Sequence, residues 1–333
     1  MLSEKFNNKN ICITGGLGFI GSSIARRLHG NAKITIIDSL IPEYGGNLQN
    51  IDAIKSSVDI KLLDVRDIEK AKEIIKKTDF IFNMAGQTSH MDSMSDPYTD
   101  LEINSLAQLS ILESVRNYNP DAKVIFASTR QIYGKPDYLP VDESHPIRPV
   151  DVNGINKNAG EQYHLLYNQV YDIKTTVLRL TNTYGPGMRI KDARQTFVGI
   201  WIKNLIENVE FEVWGGDQLR DFNYVEDVVD AFLISAISEN SNGQIFNLGS
   251  SEVISLSELA KKISSANGGG KFKVKEFPSE RKKIDIGDYY SDSSKIKNML
   301  GWQPNINLDE GLIKTMEFYK KYGEHYLNTS MQS

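Results

Sequence analysis

The sequence predicts an α/β fold, a doubly wound parallel sheet with a smaller C-terminal lobe. Three observations carry this. Short β-rich runs alternate with helix-periodic segments as far as Leu180. A glycine-rich turn joins the first run to the first helix within Ile11 to Asp38, ICITGGLGFIGSSIARRLHGNAKITIID. Beyond Leu180 the alternation weakens, which marks the start of a second lobe.

Taken in order, Ile11 and Ile13 end a short buried strand, and Gly15, Gly16, Gly18 and Gly21 break the pattern. Ile20, Ile24 and Leu28 follow at helical spacing, and Lys33 to Ile37 forms a second strand ending on Asp38. The segment after Asp38 reads as a loop, with Pro42, Gly45 and Gly46 as breakers. Ile60 to Leu63 is a third strand, and Asp67 to Lys77 a helix. Phe80 to Ala85 is a fourth strand, opening into the polar loop Gly86-Gln87-Thr88-Ser89. A long helix covers Pro97 to Asn117, and strands follow at Lys123 to Ala127 and Thr175 to Leu180. Helices are expected at Phe197 to Asn208, Glu226 to Ser238, Leu256 to Ala266 and Leu308 to Tyr322, with a strand at Ile245 to Leu248. The tail from about Glu324 is polar and expected to fray.

The chain has 333 residues, 40% hydrophobic and 24% charged, the balance of a soluble globular protein. Its net charge of −5 argues against a general nucleic-acid binder. No run approaches the ~18 apolar residues of a membrane span, and MLSEKFNNKN lacks an apolar leader core. The single cysteine, Cys12, falls in the first strand and permits no disulfide framework. A cytoplasmic protein without membrane or metal attachment is expected.

Gly16, Gly18 and Gly21 satisfy G-x-G-x-x-G between a strand and a helix. Glycines there allow a tight turn and close approach of backbone N–H groups to a pyrophosphate, at the positive end of the following helix. Asp38 can accept both ribose hydroxyls of an adenosine and would repel a 2′-phosphate, which favours NAD over NADP. Asp64 either faces the adenine edge or caps a helix.

Strand five ends in STRQIYG at Ser128 to Gly134, and Asn153-Gly154-Ile155-Asn156-Lys157 later opens a helix. With these residues the chain resembles the extended short-chain dehydrogenase/reductase family, in its branch of nucleotide-sugar epimerases and dehydratases. TGGLGFIG, NMAGQTS, STRQIYG, RLTNTYGP, RDFNYVED and SKIKNMLGWQP stand in family order over nearly the whole chain. The glycine motif and Asp38 look like UDP-hexose 4-epimerases, whereas AGQTS, DLEINSLAQLSILESVRNYN and ARQTFVGIWI look more like CDP-sugar 2-epimerases.

The resemblance implies a Rossmann-type NAD domain over residues 1–180 and 224–250. It implies a substrate lobe over 181–223 and 251–325, with a polar tail over 326–333. NAD would be held by Gly15, Gly18, Phe19, Ile20, Gly21, Asp38, Asp64, Val65, Ala85, Gly86, Gln87, Asn104 and Lys157. A UDP- or CDP-linked sugar would meet Ser89, Thr129, Arg130, Gln131, Asn153, Asn182, Arg189, Arg220 and Arg281, with Arg194 an extra contact. Arginine forks suit bidentate phosphate contacts. A homodimer through the helices near Pro97–Asn117 and Lys157–Tyr171 is also implied.

In that family a Ser or Thr, a Tyr and a Lys cooperate in proton and hydride transfer. By position Thr129 and Lys157 are the first and last, and the Tyr position, four before the lysine, is Asn153. An amide cannot be a general base, though it can hydrogen-bond a substrate oxygen. Three readings stay open: another base or relayed water, with Asp151, His90 and His145 as candidates; a silent NAD- and sugar-nucleotide-binding protein; or an engineered change. The dehydratases' acidic pair is here Arg130 and Gln131, which disfavours 4,6-dehydration and weakens decarboxylation. Epimerisation through a transient keto sugar is the expectation, with a dehydrogenase/reductase as its alternative.

Overall fold

The computed structural model describes residues 2–192, 194, 196–277 and 286–327. Twelve strands are present among them: β1 (Asn10–Thr14), β2 (Lys33–Asp38), β3 (Asp59–Leu62), β4 (Phe80–Asn83), β5 (Lys123–Thr129), β6 (Thr175–Leu180), β7 (Asn182–Tyr184), β8 (Phe211–Trp214), β9 (Leu219–Tyr224), β10 (Gln244–Leu248), β11 (Val253–Ser255) and β12 (Phe272–Lys275). Seven form the main sheet in the order β10-β6-β5-β4-β1-β2-β3. Every neighbouring pair in it is parallel. The predicted doubly wound α/β sheet is therefore the observed one.

Side-chain alternation explains why both faces of this sheet are covered. Ile11 and Ile13 of β1, with Ile34 and Ile36 of β2, enter one buried cluster, while Cys12 and Ile37 point into another. Helices α1 (Phe19–Leu28) and, later in the chain, Val225–Ile237 close the first face through Ile24, Leu28, Val228 and Phe232. The second face is closed by α2 (Lys72–Ile75), a helix at Ala107–Tyr118 and one at Val152–Tyr171, through Ile75, Leu112, Val115 and Tyr167.

Between them, α3 (His90–Ser95) and α4 (Pro97–Leu101) follow the end of β4. A π-turn at Glu102–Leu106 joins α4 to α5 (Ala107–Tyr118). The expected single helix thus carries one widened turn, and Asn104 lies in it. Helix α6 (Val152–Tyr171) starts on an Asp151 cap whose carboxylate accepts from Gly154 N at 2.7 Å.

The remaining helices are α7 (Phe197–Ile206), α8 (Val225–Ile237), α9 (Leu256–Ala266), α10 (Ser294–Leu300) and α11 (Leu308–Leu327). Helices α7, α9 and α11 enclose a second core containing Trp201, Phe211, Leu259, Ile263, Met316 and Tyr319. Small sheets β11-β9-β7 and β12-β8 flank it. Strand β10 pairs with β6 of the main sheet, so the chain crosses to the second core and returns.

Three local expectations change. The loop after Asp38 contains 3-10 turns at Pro42–Tyr44 and Leu48–Ser57, the latter anchored by buried Asn50, Ile51 and Ile54. The helix expected over Asp67 to Lys77 is a 3-10 segment (Val65–Ala71), with Asp67 out of helical geometry, followed by the single turn of α2. The tail does not begin at Glu324: α11 continues to Leu327 because Tyr326 is buried and its hydroxyl bonds Asn50 Oδ1 at 2.8 Å.

Candidate active site

Strand order reverses between β1 and β4, and a crevice opens at the carboxyl ends of such strands. The two chain segments leaving β1 and β4 meet closely here. A Cβ on Gly15, whose φ is +66°, would lie 2.8 Å from Ala85 N, and one on Gly21 would lie 2.3 Å from Gly15 O. Only glycine lets α1 begin so close beneath the turn. Gly18 caps α1 without any side-chain cap, leaving that helix end open toward the cleft.

One cleft of about 600 Å³ runs from this turn across the sheet end. Gly15, Gly18, Phe19, Ile20, Gly21, Asp38, Asp64, Val65, Ala85 and Gly86 line one arm. Asp38 is buried at the tip of β2, fixed by Leu17 N at 2.9 Å and Leu40 N at 2.7 Å. Burial pushes its pKa up even though both N–H groups oppose the shift. Asp64 both lines the cleft and caps the segment after β3, accepting from Arg66 N at 2.9 Å.

Lys157 comes from α6 into the same cleft. Its ammonium reaches Ala127 O at 3.2 Å and lies 5.0 Å from the Phe126 ring centroid. Burial lowers its pKa to about 8, against the opposing charges of Asp100 and Glu161. A Cβ on Gly86 would sit 2.7 Å from Lys157 Nζ, so the glycine keeps a cradle open in front of the amine. An open helix end, a fixed carboxylate for a ribose and a lysine beside a glycine cradle together fit a nicotinamide dinucleotide.

Thr129, Arg130 and Gln131 line the cleft at the end of β5, and Thr129 Oγ1 accepts from Gln131 N at 3.2 Å. The other arm is lined by Ser89, Asn182, Arg194 and Arg220 and by the aromatic side chains Phe197, Trp201, Trp214 and Phe277. Arg130 stacks over Tyr289 at 5.0 Å, and Arg220 donates to Leu219 O at 2.8 Å. Trp214 and Phe277 meet edge to face, with centroids 6.5 Å apart. The sequence reading did not single out these aromatics, because their residue types alone look like core. Their placement along the cleft is what distinguishes them.

Three expected contacts and one candidate base are not placed along the cleft. Gln87 is buried and folds back, its amide donating to Ser89 O at 3.0 Å and accepting from Ser89 N at 2.5 Å. Asn104 is buried behind it, donating to Gln87 O at 2.9 Å and Asp100 Oδ2 at 3.0 Å. Arg189 is drawn away by a forked ion pair to Asp192, at 2.8 and 2.6 Å. His145 packs edge-on to Tyr133 and accepts from Asp137 N at 2.8 Å, outside the cleft lining. Arg281 lies outside the described residues.

Asn153 lines the cleft but its amide hydrogens face the framework. Nδ2 donates to Gln87 O at 2.8 Å and to Asp100 Oδ2 at 2.9 Å. Asn104 and Asn156 bond the same carboxylate, at 3.0 and 2.8 Å, so three amides satisfy one fully buried acid. Beside Asn153, His90 and Asp151 meet: Asp151 Oδ2 bonds His90 Nδ1, and His90 Nε2 touches the Gln131 amide. Burial would raise the Asp151 pKa, but the bond and charge of His90, with Gly154 N, hold it below the usual carboxylate range.

Residues 11–249 match the NAD dependent epimerase/dehydratase family. The chain is 35% identical over 314 residues to a protein of Methanocaldococcus jannaschii provisionally named UDP-glucose 4-epimerase, covering 93% of this chain and 98% of that one. A Thermotoga maritima UDP-glucose 4-epimerase solved with UDP-glucose is 29% identical, with a TM-score of 0.83 over 94% of this chain and 99% of its own. A Thermus thermophilus UDP-glucose 4-epimerase solved with NAD is 26% identical, with a TM-score of 0.83 over 94% and 99%. The glycine turn, the switch-point cleft and these likenesses agree: the chain belongs to the NAD dependent epimerase/dehydratase family.

Proposed function

We propose that this protein epimerises a nucleoside diphosphate sugar through a transient keto sugar, using NAD. The observation that carries this is the single cleft running from the glycine turn and Asp38, past Thr129 and Lys157, to Arg130, Arg194 and Arg220. NAD bound in the first arm supplies reversible hydride transfer. Lys157 would hold the nicotinamide ribose, and Thr129 would hydrogen-bond the reacting oxygen. Arg220, Arg194 and Asn182 would hold the diphosphate, which suits guanidinium forks. The nucleobase, UDP- or CDP-linked, would rest against Trp214 and Phe277.

Arg130 and Gln131 support epimerisation over elimination. Neither supplies a proton to a leaving hydroxyl at neutral pH, whereas epimerisation needs only a proton acceptor, a hydride acceptor and room for the ketone to turn. A division into an NAD domain and a substrate lobe is proposed as well, supported by the two buried clusters. A homodimer is proposed through α4, α5 and α6, supported by exposed Tyr98, Leu101, Leu106, Ile155, Leu166 and Val170. A reducing, cytoplasmic setting is proposed on the buried free thiol of Cys12. None of the helices among the described residues is long and apolar enough to cross a membrane.

The test is proton NMR of the protein with UDP-, CDP-, GDP- and dTDP-sugars, following nicotinamide absorbance in the same tubes. A new epimer without net cofactor change is expected. Accumulating reduced cofactor with a keto sugar would make it a dehydrogenase. No change with a sugar that demonstrably binds would overturn the enzymatic reading.

A further inference from the structure

We propose that His90 is the proton acceptor and donor of this site, standing in for the family's tyrosine, and that Asp151 is its positioning residue. This rests on the epimerase reading above and names the group that reading lacks.

His90 opens α3, directly after the Ser89 cap, and lines the cleft together with Thr129, Gln131, Asn153 and Lys157. Its side chain is 42% accessible whereas that of Asp151 is 1%, so the ring reaches the cleft from a buried anchor. Asp151 is itself immobilised: one oxygen caps α6 on Gly154 N at 2.7 Å and the other holds His90 Nδ1. A carboxylate only accepts, so Nδ1 carries the hydrogen, and in the neutral ring the lone pair is then on Nε2. That is the tautomer a general base requires.

Gln131 fits both states of this ring. Its amide nitrogen faces Nε2, the contact a neutral ring accepts, and its Oε1 is buried with no partner. A half-turn of the amide presents Oε1 to the N–H of an imidazolium. The amide occupies the Nε2 lone pair in this position, so it turns aside when a sugar hydroxyl takes its place, and the same turn brings Oε1 toward the ring. The other candidates are otherwise engaged, with His145 outside the cleft and both Asn153 amide hydrogens bound to Gln87 and Asp100.

In the oxidising half, the sugar hydroxyl would give its proton to Nε2, the O–H bonding pair would become the second bond of the carbonyl, and the carbon's hydrogen would leave as hydride, with both electrons of its C–H bond, for the bound dinucleotide. In the reducing half, the imidazolium returns that proton to the same oxygen as hydride returns to the opposite face. His90 ends as it began, and cofactor and protons balance.

The experiment combines His90→Ala and Asp151→Asn with ¹⁵N-histidine NMR of the intact protein. In His90→Ala, kcat should fall by about 10²–10⁴-fold, with nucleotide-sugar and NAD Kd within about twofold, and added imidazole should restore turnover in proportion to its concentration. Wild-type spectra should show His90 as the Nδ1–H tautomer, identified by its loss in His90→Ala, and Asp151→Asn should mix the tautomers. Turnover within threefold of wild type in His90→Ala, lack of imidazole rescue, or an Nε2–H tautomer in the wild type would each overturn the assignment. Absence of turnover in the wild type with every sugar that binds would overturn the epimerase reading as well. The tautomer measurement needs no turnover and carries the test should Asp151→Asn fold poorly.

Discussion

The two sides of the cleft are built under different rules. On the dinucleotide side, each residue sits where a strand–turn–helix unit puts it: Gly15 and Gly18 in the turn, Asp38 at a strand tip, Lys157 one helical turn beyond Asn153. On the hydroxyl side, the expected tyrosine is an asparagine locked to Asp100, and the groups able to move a proton come from α3 and the α6 cap. The comparison teaches that a family scaffold constrains cofactor geometry more tightly than it constrains the proton-transfer group. A pyrophosphate demands backbone close approach, which only glycine supplies. A proton can be taken by any base within reach of the same oxygen.

The strongest way to break the contrast is at Lys157, which belongs to both sides. Lys157→Met should lower kcat by about 10³-fold or more, yet the unliganded fold should gain on the order of 1–3 kcal/mol at neutral pH. The sign follows from a folded pKa near 8, below its ordinary 10.5. Below about pH 8 the lysine is charged in both states and burial penalises the fold in full. Between about 8 and 10.5 the unfolded chain keeps a proton the folded chain has dropped, so wild-type stability rises with pH. Denaturant melts from pH 7 to 10.5 should show that slope in the wild type and not in the methionine variant.

Behind both sides lies His164, fully buried and stacked on Phe126 at 4.4 Å, its pKa lowered to about 4 by burial. The unfolded chain takes up this proton below about pH 6.5 and the folded chain does not. Stability should therefore fall by about 2–3 kcal/mol from pH 7 to 4 through this group. A pH series of unfolding midpoints for His164→Gln should lose that part of the acid slope.

Asn153→Tyr sharpens the comparison by restoring the family residue. It should not raise turnover, because the phenol must enter a buried site and leaves Asp100 short of one donor. A cost of about 1–3 kcal/mol in stability is expected, read by chemical denaturation. An increase in kcat above wild type would show the hydroxyl side to be a degraded form of the family site. The smallest effect is expected at Asp38→Asn, which keeps the shape but removes a charge-assisted acceptor. NAD should bind about tenfold more weakly, near 1.4 kcal/mol, and the preference over NADP should narrow, measured by nicotinamide fluorescence titration.

What the sequence determined by itself is whatever short-range rules enforce. Near-continuous apolar runs at Ile11 to Thr14 and Ile34 to Ile37 dictate strands buried on both faces, and the glycine spacing dictates the turn that follows the first. The strand at Thr175–Leu180 and the helix at Leu256–Ala266 lie where periodicity places them. The departure at Asn153 was equally legible, since it is a fixed offset from Lys157. Tertiary structure alone decided which distant groups meet. His90 and Asp151 are 61 residues apart, and Asn153 and Asp100 53. These pairings depend on how α3 and α4 pack on α6. Arg189, Gln87 and Asn104 show the converse, since nearby partners fix each of them away from the cleft lining. Local sequence sets backbone angles and the buried face, but a hydrogen-bond partner is chosen by three-dimensional proximity and by the need of every buried polar group to be satisfied.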